Sequence, residues 1–183
     1  IDTFEGALKE LFFIRHPRLK KEMPEAREPL AEFLSSHGIR PVWVYYPWRN
    51  AAVRIVPEEI YFELRTSRNR DLITREEQSA YRTSVVGVAG LSVGSAAVSA
   101  LAISGGPKKM KIADADTLEM TNLNRIRAKL IDVGGNKSDI AAREVWELDP
   151  FADLYVWRRG LHRNDIVKFI SGKVLMKLLF SLA

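Results

Sequence analysis

Residues 83–125 constrain the fold of this chain more than any other stretch. A short apolar run of mostly β-branched residues, 85–89, is interrupted by a glycine-containing turn. We expect a helix of small residues over 93–104 and a second strand over 110–113, followed by Asp114. The order strand, glycine turn, helix, strand is typical of a βαβ unit whose turn approaches a phosphate. The first N–H groups of such a helix then face the anion.

The glycines of the turn leave two interpretations open. Gly90, Ser92 and Gly94 are the expected phosphate-binding residues, because a backbone without Cβ turns sharply and lies close to a ligand. Close packing of a helix on a sheet also selects small residues, without any ligand. Asp114 follows Gly94 by twenty residues, where dinucleotide-binding folds have an acid that binds a ribose hydroxyl. This acid does not distinguish ATP from NAD.

The segments that follow carry a more specific pattern. Asp114 and Asp116 form an Asp-x-Asp pair, and TNLNR at 121–125 and DVGGNK at 132–137 come after it. In this order the stretch resembles the ThiF/MoeB family, the adenylating enzymes related to ubiquitin-activating enzymes. The resemblance covers about residues 65–170 and implies an α/β fold. That fold is Rossmann-like, with a mostly parallel sheet and helices on both faces.

The resemblance also implies site residues. Asn122, Arg125 and Lys137 fall on family positions that contact phosphate, and Arg70 falls on an arginine that acts across a two-fold dimer. Arg68 is the alternative to Arg70, and arginine suits the role because its planar fork binds phosphate oxygens in pairs. Asp116 has two open roles, to stabilise the turn or to bind a ligand. The expected catalytic residues are Arg125, Lys137 and Arg70; the expected nucleotide-binding residues are Gly90, Ser92, Gly94, Asp114, Asn122, Arg125 and Lys137.

The function implied by the resemblance is ATP-dependent adenylation of a carboxylate. The substrate would be the C-terminus of a small ubiquitin-like or sulfur-carrier protein, or a peptide, with ATP and Mg²⁺ as cofactors and a homodimer as the assembly. A NAD- or FAD-binding oxidoreductase is an alternative, favoured by the glycine turn and Asp114. A catalytically inactive scaffold subunit is another, because the magnesium-handling aspartate of the family is not found and no metal-binding residue is assigned.

The rest of the chain indicates an α+β extension before the nucleotide-binding domain. We expect the extension over residues 1–64, with two amphipathic helices and a hairpin, and the ThiF-like domain over 65–183. The family pattern fades after Ile170, so the domain is expected to be incomplete there. Residues 174–182 are apolar and are predicted to form a helix.

Composition excludes several classes of function. The chain of 183 residues has no cysteine, which rules out a disulfide, a thiolate metal site and a thioester intermediate. No apolar run is long enough for a membrane span, so no membrane partner is expected. The net charge of +5 is mild, and a pocket for a polyanionic nucleotide accounts for the arginines and lysines. We therefore expect no nucleic-acid partner. The lack of cysteine agrees with a reducing compartment, and we expect a cytoplasmic location.

Overall fold

The computed structural model describes residues 1–171 and the backbone of residues 174–179. The chain divides into two compact units, residues 1–72 and residues 73–183. The first unit contains, in order, α1 (Phe4–Arg15), α2 (Arg27–Ser36), β1 (Val42–Tyr46), β2 (Ala51–Ile55) and α3 (Glu58–Thr66). Three short 3₁₀ helices connect or follow them, at Pro24–Ala26, Pro47–Arg49 and Ser67–Asp71.

The first unit is built around the helices and hairpin that the sequence predicts. β1 and β2 pair antiparallel, with Val44 opposite Val53, which confirms the predicted hairpin. Phe4 and Leu8 of α1 are buried against Val56, and apolar residues of α2 and α3 pack around this cluster. The helical spacing of the apolar residues in α1 therefore buries one face, as such a pattern predicts.

The second unit is an α/β layer structure. Its elements are α4 (Arg75–Thr83), β3 (Val85–Ala89), α5 (Leu91–Ile103), β4 (Lys109–Ala113), α6 (Lys137–Leu148), β5 (Asp153–Trp157), α7 (Arg163–Ile170) and β6 (Val174–Leu179). The four strands are all parallel, in the order β5-β4-β3-β6. The predicted parallel Rossmann-like sheet is thus confirmed. Across the described part of the chain, no helix is long and apolar enough to span a membrane.

Helices cover both faces of this sheet. Val86 and Val88 of β3 share a buried cluster with residues of α5 and α6. Ala89, which points the other way because strand residues alternate, packs with Phe169 of α7. The chain passes from β3 to β4 to β5 in one direction and then returns across the other face to β6. Right-handed crossovers place α5 and α6 on one face and α7 on the opposite one.

The prediction of an apolar helix over residues 174–182 is wrong for the residues that the structure describes. Residues 174–179 form β6, which pairs parallel with β3. Strands of parallel sheets commonly consist of continuous apolar runs, and an apolar run alone does not separate strand from helix. Residues 180–182 of that prediction lie outside the described residues. The sheet therefore continues beyond Ile170.

Candidate functional site

The glycine turn joins β3 to α5 at the carboxyl edge of the sheet. Gly90 precedes α5 with φ 84°, a backbone angle that favours glycine. Its N–H donates to the carbonyl of Ala113 at 2.9 Å, which ties the turn to the end of β4. The helix begins at Leu91 rather than at residue 93, so Ser92 and Gly94 lie in or next to its first turn. The Leu91 side chain is buried in the cluster that β3 shares with α5 and α6.

Gly87 has a packing role, which the sequence pattern did not distinguish from the role of the glycines in the turn. It lies inside β3, before the turn, and a Cβ at this position would approach Cε1 of Phe169 to 2.8 Å. The absence of a side chain therefore allows α7 to pack closely on the sheet. Of the two interpretations of the glycines, close packing accounts for Gly87, while the turn conformation accounts for Gly90.

Asp114 follows β4 and caps α5 from the neighbouring strand. Its Oδ2 accepts a hydrogen bond from the N–H of Leu91, the first residue of α5, and its Oδ1 accepts one from the N–H of Asp116 at 2.8 Å. The side chain is buried, with the residue 8% exposed. A carboxylate has about four lone-pair sites, so these two bonds leave capacity for a further donor such as a ribose hydroxyl. In this structure Asp114 fixes the start of α5 relative to the sheet.

Lys137 brings a positive charge to the N-terminus of α5. It is the first residue of α6, and its Nζ donates to Asp116 Oδ2 at 2.8 Å and to Ser92 Oγ at 3.4 Å. Its side chain is only 7% exposed, whereas that of Asp116 is 68% exposed. The structure therefore brings together Ser92, Asp116 and Lys137, which lie far apart in the sequence.

Asn136 and Ser138 anchor Lys137, and sequence reasoning assigned neither of them a role. Asn136 Oδ1 accepts the N–H of Ser138 at 3.0 Å as the N-cap of α6. Its Nδ2 donates to the carbonyls of Asp114, Asp116 and Arg158 at 3.2–3.4 Å. Ser138 Oγ donates to the Asp114 carbonyl at 2.9 Å. Asparagine is a preferred N-cap residue, so its position directly before a helix was a usable signal.

Asn122 and Arg125 lie in the loop between β4 and α6. Asn122 is buried, and its Oδ1 accepts the N–H of Glu119 at 3.1 Å, which caps the 3₁₀ turn Met120–Asn122. Arg125 is exposed, and its Nη1 donates to the carbonyl of Thr121 at 3.2 Å and to Asn124 Oδ1 at 2.9 Å. Among the described hydrogen bonds, none joins either side chain to Lys137.

Backbone pairing holds this loop beside α6. The N–H of Leu118 donates to the Gly135 carbonyl at 2.8 Å, and the N–H of Gly134 donates back to the Leu118 carbonyl at 2.8 Å. The N–H of Lys137 donates to the Asp116 carbonyl at 3.0 Å. These backbone bonds therefore hold the start of the segment that contains Asn122 and Arg125 next to Lys137.

Arg70 belongs to the first unit, and its guanidinium has a carboxylate partner there. Its Nη2 donates to Glu63 Oε1 at 3.4 Å, while Arg15 donates to both oxygens of Glu63 at 2.7 and 3.4 Å. The hydrogen bonds from Arg15 to Glu63 raise the pKa of the Arg15 guanidinium above its ordinary value. Arg68 is exposed in the same 3₁₀ segment.

The family of this chain follows from its sequence. A model of the ThiF family matches residues 66–176, which is more than half of the chain. The chain belongs to the ThiF family. A Mycobacterium tuberculosis (strain CDC 1551 / Oshkosh) protein, described as uncharacterized protein MT1398, is 42% identical over 130 residues. That match covers 71% of this chain, and the chain spans only 18% of the length of this relative.

Solved structures show the same fold. The protein TcdA (CsdL) superposes with a TM-score of 0.62 at 21% identity, over 66% of this chain and 48% of that one. The Escherichia coli tRNA N6-threonylcarbamoyladenosine dehydratase TcdA, in complex with ATP, has a TM-score of 0.61 at 21% identity. That match covers 66% of this chain and 50% of the dehydratase. At this level of identity the likeness establishes the fold.

Proposed function

We propose that this chain binds ATP at the carboxyl ends of β3 and β4 and adenylates a carboxylate. The observation that supports this most is the Lys137 ammonium, held 3.4 Å from Ser92 Oγ beside the first turn of α5. A lysine charge and a helix N-terminus at one point form a strong anion site, because both favour negative charge. ATP is the ligand named for one structural neighbour with this fold.

The chemistry needs electrostatic help rather than a protein nucleophile. The substrate carboxylate attacks the α-phosphorus of ATP, a new O–P bond forms, and pyrophosphate leaves with the electrons of the broken P–O bond. Lys137 would stabilise the negative charge on the phosphate oxygens in this step. Arg125 would add a second charge, since its two acceptors in the structure, a carbonyl and an amide oxygen, are neutral. Asn122 would donate from its amide in the same loop.

Magnesium is proposed only as the ion that accompanies ATP. The described residues contain no group of three or more His, Asp or Glu side chains that would hold a metal ion. They therefore do not form a protein cage for Mg²⁺. Magnesium in nucleotide sites is commonly held by the phosphates with one or two carboxylates. We accordingly assign the ion to the phosphates of ATP and no catalytic step to a protein-bound metal.

The substrate proposed is the C-terminus of a small ubiquitin-like or sulfur-carrier protein, or of a peptide. This choice rests on the ThiF family membership. The chain has no cysteine, so it would release its product as the acyl adenylate and not transfer the acyl group to a thiol of its own. We propose that any later transfer uses a thiol or amine from outside residues 1–183.

The assembly proposed is a homodimer in which Arg70 completes the partner's site. In the structure the Arg70 guanidinium shares the single negative charge of Glu63 with Arg15, and its contact is the longer one, 3.4 Å against 2.7 Å. Arg70 is therefore held less tightly than Arg15. A polyanion would compete well with Glu63 for the Arg70 guanidinium, because a phosphate can accept two parallel hydrogen bonds from one arginine.

Calorimetric titration of the full-length protein with Mg-ATP and with NAD tests the ligand. We expect ATP to bind and NAD to give no signal. Tight NAD binding without ATP binding would instead support the oxidoreductase alternative. A second measurement, ATP–pyrophosphate exchange in the presence of candidate carboxylate substrates, tests the reaction. ATP binding without exchange for any small protein or peptide would favour the inactive scaffold subunit.

A further inference from the structure

We propose that Asp116 is a positioning residue that acts through Lys137. It holds the lysine ammonium beside Ser92 while no nucleotide is present, and a phosphate of the incoming nucleotide replaces it. The inference deepens the proposed ATP site and rests on it. Asp116 is then neither a structural residue of the turn nor a direct ligand of the nucleotide.

The backbone of Asp116, and not its side chain, stabilises the turn after β4. Its N–H donates to Asp114 Oδ1 at 2.8 Å, and its carbonyl accepts from the N–H of Lys137 at 3.0 Å and from Asn136 Nδ2 at 3.3 Å. The only side-chain bond described for Asp116 is the one from Lys137 Nζ at 2.8 Å. Removing the carboxylate charge should therefore leave the turn intact.

The two partners of this ion pair differ in exposure, which suits an exchange. The lysine side chain is 7% exposed and the aspartate side chain is 68% exposed. A buried ammonium without a partner is unfavourable, whereas an exposed carboxylate is well solvated when it is released. Asp116 can therefore rotate into solvent without disturbing the core, while Lys137 remains at Ser92 and needs a new anion.

Charge decides which anion stays at the lysine. A bound nucleotide brings several negative charges to the start of α5, and a carboxylate in contact with the same ammonium would repel them. The two anions are thus in competition for Lys137. It follows that Asp116 stabilises the ligand-free protein more than the ATP-bound protein. By linkage, removing its charge should strengthen ATP binding.

The experiment compares thermal unfolding of wild type and Asp116→Asn in the full-length protein, without ligand and with saturating Mg-ATP. Without ligand, the variant should melt about 2–5 °C lower, as expected for the loss of a partly buried ion pair in a unit of this size. With ATP its melting temperature should equal or exceed that of wild type. The Kd for ATP from calorimetry should fall by about three- to tenfold.

Three further variants separate the role of Asp116 from general effects. Asp116→Glu keeps the charge and should restore both the melting temperature and the wild-type Kd. Asp139→Asn removes another ion pair of α6, one with an exposed cation, where Arg158 Nε donates to Asp139 at 2.7 Å. That control should lower the melting temperature equally with and without ATP. In a Lys137→Met background, Asp116→Asn should no longer change the ligand-free melting temperature.

The outcomes distinguish this inference from the proposed function. If wild type shows no shift with ATP, the ATP site fails and this inference fails with it. If wild type binds ATP but Asp116→Asn loses the same stability in both states, Asp116 is structural and only the inference is overturned. If the variant binds ATP more weakly while its ligand-free stability is unchanged, Asp116 contacts the nucleotide directly, and again only the inference is overturned.

Discussion

Replacing Gly87 with alanine should destabilise the second unit, because the added methyl group has no room. A Cβ at this position lies 2.8 Å from Cε1 and 3.0 Å from Cζ of Phe169. The Phe169 ring is buried and packs edge-on against Trp157 with the ring centroids 5.3 Å apart. It shares a buried cluster with Ala89 and Ala113, so it cannot move aside without disturbing the sheet face.

The magnitude combines two opposing terms. Overpacking a well-packed core costs about 1–3 kcal/mol. Replacing glycine with alanine reduces the conformational entropy of the unfolded chain, which favours the native state by about 0.4–1 kcal/mol. The φ of Gly87 is not positive, so alanine adds no backbone strain. We therefore expect the free energy of unfolding to fall by about 1–2 kcal/mol.

Urea denaturation, followed by circular dichroism and by tryptophan fluorescence, measures this change. Phe169→Leu should relieve the clash, so the double variant should be more stable than the sum of the single effects by about 1 kcal/mol. Gly6→Ala is the matched control, since no heavy atom lies within 4 Å of a Cβ there. Gly6 lies in α1, where alanine should stabilise by up to about 1 kcal/mol.

Two results would refute the reasoning about Gly87. One is a Gly87→Ala variant as stable as wild type, and the other is a loss of stability that Phe169→Leu does not reduce. The ATP affinity per folded molecule should not change in Gly87→Ala. A large loss of affinity in a fully folded variant would mean that Gly87 belongs to the phosphate site and not to the packing of α7.

Three further predictions concern the charged residues. Arg125→Ala should weaken ATP binding by about 1.5–3 kcal/mol in calorimetry, the range for hydrogen bonds to a charged group, while the fold survives because Arg125 is exposed. Lys111→Met should lower the free energy of unfolding by about 1–3 kcal/mol, because Lys111 Nζ donates to the carbonyls of Lys168, Phe169 and Ser171 at the end of α7 at 2.7–3.1 Å. Mixing the variants Arg70→Ala and Lys137→Ala should restore part of the pyrophosphate exchange, because a mixed dimer would contain one intact site.

Each of these predictions has a control and an outcome against it. Arg127→Ala, at a neighbouring exposed arginine, should leave ATP affinity nearly unchanged; if Arg125→Ala unfolds the protein instead, Arg125 is structural. Lys109→Met in the same strand removes only an exposed contact of 3.9 Å to Asp153 and should change stability by less than about 0.5 kcal/mol. A monomer in sedimentation at micromolar concentration, or no recovery despite proven subunit exchange, would contradict the shared site.

Local signals predicted much of the fold. Thr74 and Glu77 form the reciprocal capping box that their spacing predicts, with Thr74 Oγ1 accepting from the Glu77 N–H at 3.2 Å. β3 has the predicted bounds, and β4 begins one residue earlier than expected. These elements are encoded by short apolar runs, caps and turn residues that act over a few positions. The ThiF-family match over residues 66–176 confirms the resemblance that the glycine turn and the Asp-x-Asp pair indicate.

The failure at residues 174–179 has a physical cause. Leucine, methionine and lysine favour helices intrinsically, and propensity acts locally. β6 forms because its backbone pairs with β3, from Val85 opposite Val174 to Ala89 opposite Leu179. That pairing partner is about ninety residues away in the sequence, and no local pattern reports it.

The sequence by itself determined which residue types surround the candidate site: a glycine turn, an Asp-x-Asp pair and a lysine at the start of a helix. Only the tertiary structure decided their partners. Asp114 caps α5, and Lys137 pairs with Asp116 next to Ser92, because the parallel sheet brings the ends of β3 and β4 to one edge. Caps and turns depend on neighbours within a few residues, so a sequence shows them. Contacts between the end of β3 and the residues that follow β4, such as Leu91 with Asp114 and Ser92 with Lys137, depend on sheet order and register, which exist only once the sheet has formed.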